Sequence, residues 1–213
     1  MEIVQPEPEL AYADMVASRQ ATLRTELADF LSIGLATREL TLEVGCGHGH
    51  FLVRYAATFP NRLCLGVDLL RERIERANKK RRRLKAENLK FIRAEALEAL
   101  DCLPSDARPT EIFVLFPDPW PKRRHHKHRI LQPAFLEKLA SRVGEGTRLY
   151  FRTDHVGYYN DSVRLFEQSA EWRIEPEAVW PMEEPTIFQQ RADSYNSLIA
   201  VRIRLTKAVE KTA

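Results

Sequence analysis

From Leu40 to Ala170 short apolar runs alternate with longer amphipathic stretches, and this alternation restricts the possible folds more than any other feature of the chain. The runs Leu40–Val44, Leu63–Val67, Leu89–Arg93, Ile112–Phe116 and Arg148–Arg152 have strand length and strand composition. Helical patterning fills the intervals at Gly49–Thr58, Arg71–Ala86, Glu95–Leu100, Gln132–Val143 and Tyr158–Ala170. Such spacing predicts an α/β fold, a mostly parallel sheet with helices on both faces. Beyond Ala170 the pattern changes: Trp172–Ala178 and Ser197–Leu205 read as strands joined by a loop without a helix. They predict an antiparallel C-terminal hairpin at one edge, making a doubly wound, seven-stranded sheet. Ahead of the core, Met15, Leu23, Leu27, Phe30 and Leu31 predict a helix over Met15–Leu31. Residues 1–14 are expected as a flexible arm and 15–213 as a single domain, a length well able to bury a core.

The turn from the first strand into the first helix reads Leu42-Glu43-Val44-Gly45-Cys46-Gly47-His48-Gly49-His50. Glycines there let the backbone turn tightly and approach a ligand at a helix N-terminus. A dinucleotide fingerprint would need G-x-G-x-x-G, but its third glycine position is His50, and the glycines fall at Gly45, Gly47 and Gly49. Asp68 closes the second strand, placed to accept two hydrogen bonds from a ribose diol. Glu43 suits an ammonium better than a pyrophosphate, because a carboxylate repels phosphate oxygens. The combination points to S-adenosylmethionine in place of NAD. Glu95, just after the third strand, either meets the adenine amino group or is a first-turn helix carboxylate favoured by the dipole.

After the most apolar strand comes Phe116-Pro117-Asp118-Pro119-Trp120-Pro121, followed by the cationic run Lys122–Arg129. A carboxylate and an aromatic ring on a proline-stiffened loop, backed by cations, is what a nucleobase on a phosphate backbone requires. Trp120 either stacks on a base or packs beneath the loop. The formal charge of +3 is too mild to establish a nucleic-acid partner, and its distribution says more. A second basic block, Lys79–Lys85, lies on a helix whose apolar stripe is Leu70, Ile74, Ala77 and Leu84, so most of its cations face outward as a solvated face or an RNA contact. His125, His126 and His128 lack i, i+4 pairing and have cationic neighbours, so no metal is expected. Cys46, Cys64 and Cys102 lack paired metal spacing and read as reduced thiols. The chain carries no secretory apolar region and no run near the ~18 apolar residues of a membrane span, so a cytoplasmic protein with no membrane partner is expected.

Together the Glu43–Gly49 loop, the Phe116–His125 segment with Arg129, and Thr153-Asp154 with Tyr159 resemble the bacterial tRNA (guanine-N7-)-methyltransferases, in that family's order from about Leu40 to Arg191. The resemblance implies a Rossmann-like, class I S-adenosylmethionine-dependent methyltransferase domain and a tRNA partner; the sequence leaves the oligomeric state, monomer or weak dimer, open. It implies that Glu43, Asp68 and Glu95 with the three glycines bind the cofactor, that Asp118 is the active-site acid, and that Lys122 and Asp154 contact substrate. The family's Thr-x-x-Glu segment corresponds to Thr186-Ile187-Phe188-Gln189, so Thr186 and Gln189 are its substrate-binding positions here. Gln189 departs from that pattern: an ionised Glu accepts both hydrogen bonds from the guanine N1–H and N2–H edge, whereas an amide has one acceptor and adds a donor. The family's glycines after Arg191 are also absent.

Three functions fit these residues: guanine-N7 methylation of tRNA, S-adenosylmethionine-dependent methylation of another substrate, and RNA binding by a non-catalytic relative. Gln189 favours the second, while Glu43, Asp68 and the three glycines oppose the third.

Overall fold

The computed structural model describes residues 8–33, 39–182, 189–190 and 192–204. Thr186, the first seven residues of the expected arm and the Leu205 end of the last expected strand lie outside these.

A helix, α1 (Pro8–Leu31), precedes the alternating core of β1 (Leu40–Val44), α2 (His50–Thr58), β2 (Leu63–Asp68), α3 (Arg71–Leu84), β3 (Leu89–Arg93), α4 (Ala96–Cys102) and β4 (Pro109–Leu115). A 3-10 turn (Arg123–His128), α5 (Pro133–Arg142), β5 (Arg148–Thr153), α6 (Val156–Glu167), β6 (Trp172–Ile174) and β7 (Asn196–Arg202) complete it. The strands form one seven-stranded sheet in the order β3-β2-β1-β4-β5-β7-β6. The pairs among β1 to β5 are parallel, whereas β7 runs antiparallel to both β5 and β6. β1 (Leu-Thr-Leu-Glu-Val) is buried along its whole length, so Leu40, Leu42 and Val44 lie in the core and the polar Thr41 and Glu43 are buried on the other face.

Side-chain alternation divides the core between two faces. Leu149 and Phe151 of β5 join Leu27 and Phe30 of α1, Leu100 of α4, Leu139 of α5 and Phe166 of α6. Tyr150 points the other way, with Phe51 and Tyr55 of α2, Ile74 and Ala77 of α3, and Phe113 of β4. On that second face Trp180 packs on Phe113 and Tyr150, ring centroids 6.2 and 5.2 Å away. The loop after β6 thus covers the part of β4 and β5 that α2 and α3 leave open.

The structure alters some expectations. α1 begins at Pro8, because proline fits a first helical turn and Leu10, Ala11 and Ala13 favour helix; residues 8–14 therefore continue it. The two terminal strands do pair antiparallel, but β7 inserts between β5 and β6, leaving the three-residue β6 as the edge. Of the proposed α3 stripe only Ile74 and Ala77 are buried, and Leu70 and Leu84, at its ends, are exposed. Helix ends overhang a short sheet, so an apolar residue there has nothing to bury against.

At the strands' N-terminal ends a polar cluster closes the sheet. Glu111 accepts hydrogen bonds from Tyr55 and Arg62, and from Thr41 at 3.3 Å. Arg62 also pairs with Glu39 at 3.0 Å, and its guanidinium lies 5.1 Å from the Phe59 ring centroid. Among the described residues no helix is long and apolar enough to cross a membrane.

Candidate active site

At the strands' C-terminal ends, β1 lies between β2 and β4, with Val44 in register with Val67 on one side and Val114 on the other. The chain winds outward in both directions from β1, and such a reversal opens a crevice above the sheet. The glycine loop enters it. Gly45 and Cys46 donate amides to the Val67 carbonyl at 2.9 and 3.0 Å, and Gly45, Gly47 and Gly49 all have positive φ. Only at Gly49 would a side chain strike protein: a Cβ there would lie 2.5 Å from Phe91 Cζ. At Gly45 and Gly47 a Cβ would face open space, leaving room for a ligand against the backbone.

Asp68 is buried and braces this loop. One carboxylate oxygen accepts from Gly47 N–H at 3.0 Å, the other from Leu70 N–H at 2.9 Å, and Arg73 lies 3.5 Å away. Glu43 is 4% exposed, and its Oε2 has no hydrogen-bond partner among the described residues. Burial, then the neighbouring Asp68 carboxylate, push its pKa up to about 8, against a lowering contribution from the Leu52 amide. An orphaned buried carboxylate next to a second acid is a site for a cation. Cys46 in the same loop is buried, and desolvation with Glu43 and Asp68 beside it keeps it a neutral thiol.

One strand over, Phe116 and Trp120 bracket Pro117-Asp118-Pro119, both in the left-handed region at φ 49° and 44°. Bulky residues avoid that conformation at a cost of roughly 1–2 kcal/mol each, so surrounding contacts must impose it. Phe116 N–H donates to the Arg152 carbonyl at 2.8 Å, and the Phe116 ring meets Tyr195 at 6.0 Å between centroids. Trp120 lies edge-on to His125 and 5.1 Å from His128. The strongest restraint is Arg129. It is 4% exposed, donates Nε to the Pro119 carbonyl at 2.8 Å, pairs with Asp161 of α6 at 2.8 Å and reaches His126 at 3.1 Å. Its guanidinium lies 4.5 Å from the Tyr158 ring centroid. Within the run Lys122–Arg129, then, Lys122 to Arg124 are exposed, whereas the final cation is an internal bolt. Nothing in eight consecutive basic and histidine residues marks which one is buried, except that Arg129 alone precedes an apolar pair, Ile130-Leu131.

Asp118 is exposed at the tip of this loop, and Lys122 opens the 3-10 turn behind it. Asp154 is exposed directly after β5, and Glu95 is exposed at the N-cap of α4, after β3. Glu43, Asp68, Glu95, Asp118 and Asp154 thus follow or close five adjacent parallel strands at one edge of the sheet. Gln189, half-buried, precedes β7, whose Asn196 pairs with Thr153 and so returns the chain to that edge. Residues not anticipated are Arg152, Trp180 and Tyr195: buried Arg152 stacks 3.5 Å from the Trp180 centroid, lies 5.5 Å from Tyr195, and donates to Ser197 at 3.1 Å. An arginine directly after the apolar Leu149-Tyr150-Phe151 run was the available signal.

The family model described as "Putative methyltransferase" matches residues 37–199, spanning both loops. The chain belongs to this methyltransferase family. It is 34% identical over 136 residues to a tRNA (guanine-N(7)-)-methyltransferase of Thermus thermophilus, covering 64% of this chain and 44% of that relative. It is 36% identical over 138 residues to the protein of that name from Prochlorococcus marinus, covering 63% and 58%. The chain spans about half the length of these relatives. In fold it is similar to a Streptococcus mutans methyltransferase solved in complex with SAH, at a TM-score of 0.54 and 15% identity over 84% of this chain and 98% of that one.

Proposed function

We propose that this protein methylates guanine N7 in tRNA using S-adenosylmethionine. The observation carrying the proposal is the juxtaposition on neighbouring strands of a glycine loop walled by Glu43 and Asp68 with a rigid loop presenting Asp118. The donor set suits the cofactor: Gly45 and Gly47 leave space for it, and the orphaned Glu43 oxygen invites an ammonium or sulfonium charge. S-adenosylmethionine supplies an electrophilic methyl group. Glu43 meets its positive charge, and Asp68 shapes the loop with both oxygens while keeping lone pairs for a ribose diol. Glu95 reaches toward the adenine side from the next strand.

Guanine N7 carries an exposed lone pair, so the acceptor needs no base to remove a proton, and the product ring is cationic. Asp118 therefore acts by position and field, holding negative charge where the purinium develops. Lys122 anchors backbone phosphate, and Asp154, with Gln189 and Thr186, meets the base. The test is to incubate the protein with S-adenosylmethionine and unmodified tRNA transcripts, digest to nucleosides and look for 7-methylguanosine by mass spectrometry. Asp118→Ala should lower its formation by about 10²-fold or more while the cofactor dissociation constant stays within a few fold. A cofactor-binding protein that makes no 7-methylguanosine would move the assignment to another acceptor, the second reading, which Gln189 favours.

A further inference from the structure

Helix α3 carries cations at Arg73, Arg76, Lys79, Lys80 and Arg83, which fall at i, i+3, i+4 and i+7 spacings on adjoining rows of the helix. Arg76, Lys79 and Arg83 are exposed, and none of them pairs with a carboxylate among the described residues. Lys80 reaches across to the glycine loop, donating to the His48 carbonyl and meeting His50 Nε2, both at 2.7 Å. The charges of Arg76, Lys80 and Arg73 reinforce desolvation in holding the His48 imidazole below its ordinary pKa. Like charges at these spacings destabilise a helix. The cofactor does not relieve the repulsion, because S-adenosylmethionine brings positive charge to the site, where Glu43 would meet it.

We propose that this face of α3 binds the sugar-phosphate backbone of RNA. The inference rests on the proposed function and adds a second contact surface to it. α3 starts at the active-site edge after β2 and descends the flank, so Arg73 to Arg83 span about 15 Å, room for several phosphates. The other cationic block, Lys122 to Arg124, follows β4, which lies two places from β2 in the sheet, a strand-to-strand spacing of roughly 10 Å. The two blocks follow the strands on either side of β1, so they flank the glycine loop, and Asp118 shares the loop of the second block. A strand whose base enters the crevice between them would have backbone on both sides.

The test is a full-length Arg76→Ala, Lys79→Ala, Arg83→Ala variant. Alanine favours helix and these side chains make no ion pair, so the fold should persist, as circular dichroism would verify. Binding of tRNA is measured across a salt series beside the S-adenosylmethionine dissociation constant and 7-methylguanosine formation by the unaltered protein. The expected result is about a tenfold weaker tRNA complex, a salt slope of log K reduced by about 2–3, and unchanged cofactor affinity. An unchanged slope in a protein that forms 7-methylguanosine overturns this surface and leaves the function standing. A reduced slope without 7-methylguanosine supports the surface and removes the function. Failure of the unaltered protein to bind tRNA overturns both.

Discussion

Glu43 makes the cofactor site pH-dependent in a definite direction. Its folded pKa, about 8, lies above that of an exposed carboxylate, so between the two values the folded protein holds a proton that the unfolded chain has released. Stability of the ligand-free protein therefore declines as pH rises from about 4.5 through about 8. Cofactor binding that needs the ionised form has the opposite dependence, strengthening up to tenfold per unit as pH approaches 8. Calorimetric titrations from pH 6 to 9 should show that rise, and Glu43→Gln should abolish it while flattening the melting temperature of the free protein over the same range. Arg129 is the other residue whose role its context decides. Its planar fork serves Pro119, Asp161 and His126 together, which a lysine cannot do. Arg129→Lys should reduce kcat by about 10-fold or more through a displaced Asp118 loop, with the S-adenosylmethionine dissociation constant unchanged; equal loss in both would identify general unfolding instead.

At the scale of elements, the glycine loop separates two kinds of glycine by what surrounds each. Gly49→Ala would drive a methyl group into Phe91 from a left-handed backbone and should lower stability by about 2–4 kcal/mol in chemical denaturation. Gly47→Ala meets no protein atom, so its stability loss should stay near the roughly 1–2 kcal/mol of backbone strain while cofactor affinity falls much further. The sequence reported most of this architecture, because the parallel strands are largely buried and each carries a short apolar stretch that stands out between amphipathic helices. The positions of β1 and β3 follow directly, and the glycine loop and proline-tryptophan loop fall at strand ends as expected. Long-range placement was not legible. No local signal says that β7 inserts beside β5, that Trp180 caps Tyr150, or that Arg129 turns inward while Lys122 stays out, since those outcomes depend on partners distant in sequence.

The whole molecule separates its two sheet edges by task. At the N-terminal edge Glu111, Arg62, Tyr55 and Glu39 form a network that touches no candidate site residue. Removing its central charge with Glu111→Gln should lower the unfolding free energy by about 2–3 kcal/mol and leave kcat unchanged, which thermal melts and an activity assay would report together. At the opposite edge the strands deliver their carboxylates in parallel, and β7 returns from Asn196 to pair with Thr153. That late return has a consequence for synthesis. β5 is made well before its antiparallel neighbour, and at a ribosomal rate of ~5–20 residues per second the chain between Thr153 and Asn196 takes roughly 2–8 s to appear. During that interval β5 is an open, aggregation-prone strand edge, while the glycine-loop side already has all its strands, so a nascent chain completes its donor half seconds before its acceptor half.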